Sequence, residues 1–239
     1  VDSASPSYQG HRYPAELSAH AVWLHHRFPL SFREVEELLL TRGVLVSHGT
    51  VRQWCARFGP EYAAGLRCRR SRAGDTWHLD EVFVKVNGVR RYLWRAVDQD
   101  GNVLDVLVRS RRDAAAVKRF PAKLMKKQCR VPRVLVTDRL RSYVVAHRKL
   151  MPSVEYRQSK YLNTRAENSH QPTHQREHAL KGSRSTTGTQ RLLSVFSATS
   201  PHFRPRRHRL TAPQYHAEMH RRFATWHQIT GSTSLPSEA

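Results

Sequence analysis

Asp80 lies inside the apolar run Thr-Trp-His-Leu-Asp-Glu-Val-Phe-Val-Lys-Val (76–86). Asp138 directly follows Val-Leu-Val-Thr (134–137), and Glu167 stands in Asn-Thr-Arg-Ala-Glu-Asn (163–168). The first two sit where a strand carries or releases a side chain, and the third opens a polar stretch of helical character. Three oxygen ligands drawn from distant parts of a chain suit a hard divalent cation such as Mg²⁺, which completes its shell with water or phosphate oxygens. Two such cations about 3.5–4 Å apart activate a water or 3′-hydroxyl and stabilise the leaving oxygen of a phosphodiester. Each acid also has a structural explanation to weigh. Asp138 can cap a following helix, and Glu167 says little alone among polar neighbours. Asp80 is harder to explain structurally, because burying an unpaired carboxylate is costly. Glu81, Asp98 and Asp105 are the competing acids, and strand parity aims Glu81 away from the face of Asp80.

Charge identifies a source of phosphate. The 239 residues carry a formal net charge of +22. The basic clusters include Arg67, Arg69, Arg70 and Arg72, then Arg109, Arg111 and Arg112, then Arg204, Arg206, Arg207 and Arg209. Charge spread in this way steers and holds a polyanion through phosphate contacts and counterion release. A passive basic protein shares that property but gains nothing from carboxylates turned toward its ligand. Cys55, Cys68 and Cys129 form no Cys-x-x-Cys pair, which reads as reduced thiols rather than a disulfide framework or zinc site, with Cys55 a small core residue. With no apolar run long enough to span a bilayer and no signal-peptide core, the expectation is a soluble, intracellular (cytoplasmic) protein.

The elements that must position these residues fall into two groups. Residues 1–12 read as a flexible leader. A helix from Pro14 ends at the Phe28-Pro29 step. Ser31 with Glu34 forms a capping-box pattern before a second helix over 32–41. Arg42-Gly43 breaks it, and Ser47 caps a third helix over 48–58. In that helix Val51, Trp54 and Phe58 face inward, while Arg52, Gln53 and Arg57 face outward. This is a helix-turn-helix pattern over 13–59; a three-helix cap without a DNA role fits it as well. Residues 60–75 read as a basic linker.

The period then becomes strand-like. Strands at 79–86, 91–97 and 103–108 are joined through Asn87-Gly88 and Asp98-Gln-Asp-Gly101, making a meander. Trp77 and Trp94 read as core residues. A helix over 112–127, a buried strand at 134–136, a helix over 140–149 and a longer helix from about 163 follow. The fold class is α/β: a ribonuclease-H-like catalytic core over 76–200, a mixed sheet with flanking helices, preceded by a small helical helix-turn-helix domain. A basic, aromatic tail over 201–239 carries a helix near 213–228. Gly182, Gly188 and the Ser/Thr cluster at 183–189 weaken helix formation locally. His170, His174 and His178 recur at helical spacing and read as a polar face near phosphate.

Taken in order, the segments Phe28-Pro-Leu-Ser-Phe-Arg-Glu-Val-Glu-Glu-Leu38, Gly74-Asp-Thr-Trp-His-Leu-Asp-Glu-Val82, Tyr92-Leu-Trp-Arg-Ala-Val-Asp98, Val136-Thr-Asp138, Leu140-Arg-Ser-Tyr143 and Arg165-Ala-Glu-Asn-Ser-His-Gln-Pro-Thr173 closely resemble DDE transposases of the IS6 insertion-sequence family. The resemblance runs from about Tyr13 to Trp226. It implies that Asp80, Asp138 and Glu167 are a catalytic triad binding Mg²⁺ or Mn²⁺. It further implies a helix-turn-helix that reads terminal inverted repeats in double-stranded DNA, and cointegrate-forming transposition by a homodimer or larger assembly on DNA. Arg139, Lys160 and Arg165 join Arg52, Gln53, Arg57, Arg67, Arg69, Arg70 and Arg72 as candidate DNA contacts. The chain departs from the family pattern at Thr164, where Asn is usual, and at Arg139, where Lys is usual. It departs again after Thr173, where a dense Arg-rich helix is usual. Two alternatives remain beside an active transposase: a decayed copy that only binds DNA, and a ribonuclease-H-like nuclease without strand transfer.

Overall fold

The computed structural model describes residues 6–70, 72–110, 114–138, 147–148, 151–158, 185–205 and 207–232. The chain divides into two compact units, one of Val1–Arg70 with Ser194–Ala239 and the other of Ser71–Leu193.

The first unit is helical. Helices α1 (Ala15–Arg27), α2 (Phe32–Leu40) and α3 (His48–Cys68) follow the expected order. Ser31 and Glu34 form the capping box, with the Ser31 amide donating to Glu34 Oε2 at 2.5 Å and the Glu34 amide to Ser31 Oγ at 3.2 Å. Ser47 Oγ accepts from the Thr50 amide at 3.2 Å and caps α3. Glu36 of α2 reaches the same helix start, accepting from the His48 amide at 2.9 Å. That bond satisfies an orphan amide and places a negative charge at a helix N-terminus, both favourable.

Three expected boundaries differ from this unit. Helix α3 does not end at residue 58 but runs through Pro60 to Cys68, so most of the expected linker is helix. Proline removes one hydrogen bond there, while Tyr62, Ala63 and Leu66 continue the buried face and offset that loss. The tail is also built into the unit. Helix α6 (Ala212–Thr230), capped by Thr211 and Gln214, buries Trp226 and Ile229 with the α3 residues in one core. The leader, finally, is tied down at Tyr8. Its hydroxyl lies 2.7 Å from that of Tyr62 and donates to the Thr230 carbonyl at 2.5 Å, and its ring meets Phe58 at 4.9 Å. An aromatic body with a polar tip suits such a junction.

The second unit is built on a five-stranded sheet in the order β3-β2-β1-β4-β5. Strands β1 (Thr76–Val86), β2 (Val89–Asp98) and β3 (Val103–Arg109) form the antiparallel meander. Asn87 and Gly88 turn the first hairpin with φ of 52° and 75°, the left-handed pair that a two-residue type I′ turn requires. Helix α4 (Ala114–Gln128) leads to β4 (Val134–Thr137), which runs parallel to β1, and β5 (Glu155–Gln158) lies parallel to β4.

Alternation divides the sheet into two faces. Trp77 and Leu79 of β1 pack with Phe120 and Leu124 of α4, and Val84 and Val86 pack with Leu193 of helix α5 (Thr186–His202). Trp77 and Trp94 are core residues, as expected, at 1% and 0% exposure. This is a mixed sheet with helices on both faces, the ribonuclease-H-like plan. The Ser/Thr-rich stretch does begin a helix, because Ser185 Oγ accepts from the Gly188 amide at 3.0 Å and serves as a cap. Gln190 of α5 covers the open edge of β3, accepting from the Val108 amide at 2.7 Å and donating to the Val106 carbonyl at 3.0 Å. The expected helices over 140–149 and from 163 fall largely or wholly outside the described residues.

Candidate active site

Strand β1 is central, with β2 on one side and β4 on the other. Asp80 therefore has a fixed backbone on both flanks. It is 6% exposed in a strand whose buried apolar positions are Trp77, Leu79, Val84 and Val86. Parallel pairing of β1 with β4 places Leu79 beside Thr137. The next residue of each segment is an aspartate, so the register carries Asp80, in the middle of β1, alongside Asp138, one residue past the end of β4, about 5 Å apart in backbone. Parity turns both away from the α4 face, to which Leu79 belongs, and toward the face of Val82 and Val84.

Arg95, the residue opposite Asp80 on β2, did not stand out as a site residue in the sequence. It is 2% exposed, and burial pushes its guanidinium down to about 10, so it remains charged at neutral pH. Directly opposed residues of an antiparallel pair have Cβ atoms about 4.5–5.5 Å apart. A positive charge is thus built beside the central carboxylate. The signal was present as an arginine amid Leu93-Trp94 and Ala96-Val97, the same anomaly that marks Asp80.

Thr137, fully buried, supports the other strand end, with its Oγ1 2.7 Å from the Tyr156 hydroxyl of β5. Burial raises the pKa of Tyr156; the Thr137 hydrogen bond opposes that shift, and the charge of Asp138 adds to it. The tyrosine remains a neutral hydrogen-bonding partner under Asp138.

The competing acids have structural work. Asp98 closes the β2–β3 turn, accepting from the Asp100 amide at 2.9 Å, the Asn102 amide at 2.8 Å and Asn102 Nδ2 at 3.0 Å. Asp105 is 7% exposed and paired with Lys127 at 2.8 Å and Lys123 at 3.5 Å, both from α4. Glu81 alternates to the face away from Asp80. Glu167, Arg139, Lys160, Arg165, His170, His174 and His178 lie outside the described residues.

Among the candidate DNA contacts, Arg52, Gln53 and Arg57 form the exposed face of α3 opposite buried Val51, Trp54 and Phe58. Arg69 and Arg72 are exposed as well. Arg67 and Arg70 bond to α5 within the helical unit. Arg67 donates to the Ser194 carbonyl, and Arg70 donates to those of Ser197 and Ala198 at 3.2 and 3.0 Å. Pro201 has no amide to offer Ser197, so Arg70 supplies the missing donor.

Residues 74–206 match a family model described as a DDE domain. The chain is 34% identical over 155 residues to the transposase for insertion sequence-like element IS431mec of Staphylococcus aureus, covering 63% of this chain and 69% of that protein. It matches the transposase for insertion sequence element IS257 in transposon Tn4003 of Staphylococcus aureus equally well, at 34% identity over the same shares. Among solved structures, the catalytic core domain of BIV integrase is similar with a TM-score of 0.38 and 13% identity, over 64% of this chain and 99% of that one. Among the described residues no helix is long and apolar enough to cross a membrane. The chain belongs to the DDE transposases of the IS6 insertion-sequence family, polynucleotidyl transferases that act on DNA and depend on a divalent metal ion.

Proposed function

We propose that this transposase cuts the ends of its insertion sequence and joins the freed 3′ ends to target DNA at a site formed by Asp80, Asp138 and Glu167. The observation that carries this reading is the pair of aspartates brought side by side by the β1–β4 register. Their oxygens are hard donors and fit Mg²⁺ or Mn²⁺, with Glu167 the third ligand. The bound ions supply Lewis acidity toward the phosphodiester and the attacking oxygen. Asp80 contributes rigidity, because its strand is hydrogen-bonded on both sides. Asp138, one residue past β4, contributes the second carboxylate. Arg95 offsets the charge of Asp80 when no cation is near.

Recognition of the terminal inverted repeats belongs to the helix-turn-helix. Arg52, Gln53 and Arg57, exposed on the outer face of α3, are the residues assigned to base contacts in the major groove. Exposed Arg69 and Arg72 suit backbone phosphates, and Arg139, Lys160 and Arg165 are assigned the same role from their residue type and sequence context. Two ends must be held for transposition, so a homodimer or larger assembly on DNA is the working form, acting in the cytoplasm at the bacterial nucleoid.

The test is a Mg²⁺-dependent joining assay with the full chain, the terminal DNA of its element and a target plasmid. Wild type is expected to yield joined products, and Asp80→Asn to bind the ends but to lose joining by at least a hundredfold. End binding without joining in the wild type would mark a decayed copy. Cleavage without joining would mark a nuclease.

A further inference from the structure

The helical unit contains a second set of metal-type donors, chemically unlike the carboxylates. His25 and His26 lie in the last turn of α1, and Cys55 lies about two turns into α3. All three are buried, at 2%, 2% and 6% exposure. One ligand atom from each lies within 4.8 Å of the others. Consecutive helix residues point about 100° apart and do not ordinarily face one site. Here the local packing turns both imidazoles to the same place. The His25 ring stacks on Phe32 of α2 at 4.2 Å and 22°, and the His26 ring meets it edge-on at 4.9 Å and 79°. Gly59, one turn beyond Cys55, lies against the same imidazole, within ordinary contact distance of His26 Nε2.

We propose that His25, His26 and Cys55 bind one soft d¹⁰ cation, Zn²⁺ or Cu⁺, which ties α1 to α3 inside the helix-turn-helix unit. Two imidazole nitrogens and a thiolate select this class, whereas Mg²⁺ and Mn²⁺ prefer oxygen. Ligand atoms of a tetrahedral Zn²⁺ site are separated by about 3.4–3.6 Å, given bonds of 2.0–2.3 Å. Small side-chain rotations close the present spacing to that value. Zn²⁺ takes a water as its fourth ligand, and Cu⁺ needs none. The cation binds the folded unit and not the unfolded chain, so it stabilises the helix that carries Arg52, Gln53 and Arg57 by mass action. The site is separate from the carboxylate site, and its existence does not depend on the strand-transfer reading.

The experiment uses the full chain carrying Cys68→Ser and Cys129→Ser. Both thiols are exposed, and their removal leaves Cys55 as the single cysteine. The protein is stripped with chelator, kept reduced and held in saturating Mg²⁺. It is then titrated separately with Zn²⁺, with Co²⁺ as its spectroscopic stand-in, and with Cu⁺. The expected result is one equivalent bound in the zinc and cobalt arm or in the copper arm, with a thiolate-to-metal charge-transfer band and a rise in Tm. Adding Cys55→Ser should abolish the band and the Tm rise, and adding His26→Asn should weaken binding at least tenfold. Adding Asp80→Asn should change neither. Absence of a thiolate band in both arms overturns the proposal without reference to any core variant. So does a Tm rise that survives Cys55→Ser or disappears with Asp80→Asn.

Discussion

Arg95 and Asp80 face each other across β1 and β2, both almost fully buried. Removing one member of a buried pair of opposite charges costs about 3–5 kcal/mol, because the other remains uncompensated. Arg95→Met should therefore lower stability in metal-free buffer by about 3 kcal/mol, read by urea unfolding. Saturating Mg²⁺ should restore more of that loss than it adds to wild type, since a cation at Asp80 supplies the missing charge. An equal Mg²⁺ response in both proteins would separate Arg95 from the site. The same physics explains which residues were legible in advance. Asp80 showed itself as a carboxylate in an apolar strand, and Arg95 could have been found in the same way. Asp105 was ambiguous because the lysines that neutralise it come from α4, and no local pattern announces such a pairing. His25, His26 and Cys55 were illegible as a group, because α1 and α3 bring them together without any ligand-spacing motif.

At the scale of elements, local chemistry was a good guide wherever it was self-contained. The Ser31–Glu34 box, the Ser47 cap and the Asn87-Gly88 turn each involve a few consecutive residues, and each formed where expected. Helix α3 outran its expected end because burial against α6 offset Pro60, a tertiary effect invisible in the local sequence. Gly65 tests that packing. A Cβ there would meet Ile229 Cγ2 of α6 at 2.6 Å, so Gly65→Ala should destabilise by about 1–3 kcal/mol through overpacking. Adding Ile229→Ala should recover part of the loss in thermal melts; a further loss of the same size would deny the contact. On the opposite side of α3, Arg57 is exposed, and Arg57→Ala should leave Tm unchanged. For a base contact in the major groove, its loss should weaken binding to terminal DNA by about 1–3 kcal/mol and binding to unrelated DNA by less. An unchanged preference for terminal DNA would remove Arg57 from the reading surface.

At the scale of the whole molecule, the two units should respond differently to acid. His20, His202 and His227 all belong to the helical unit, and burial depresses all three, with Arg42 adding to the effect at His20. A histidine depressed in the fold binds its proton more readily when unfolded, so stability falls as pH drops through about 6.5 and levels off below the folded values. Thermal melts between pH 8 and pH 5 should show tryptophan signals of the helical unit moving to lower temperature more than those of the sheet unit. The opposite order would contradict the assignment. The proposed catalytic set is a larger convergence, in which strands β1 and β4 bring together residues 58 positions apart in sequence and Glu167 is the proposed third acid. The most direct measurement replaces Mg²⁺ with Fe²⁺ in the full chain on its terminal DNA and maps radical cleavage of the backbone after ascorbate and peroxide are added. Cuts clustered at Asp80, Asp138 and Glu167, suppressed by excess Mg²⁺ and lost in Asp80→Asn, are the expected result. Cuts at Asp80 and Asp138 with none near Glu167, or cuts that ignore Asp80→Asn, would contradict the three-carboxylate site.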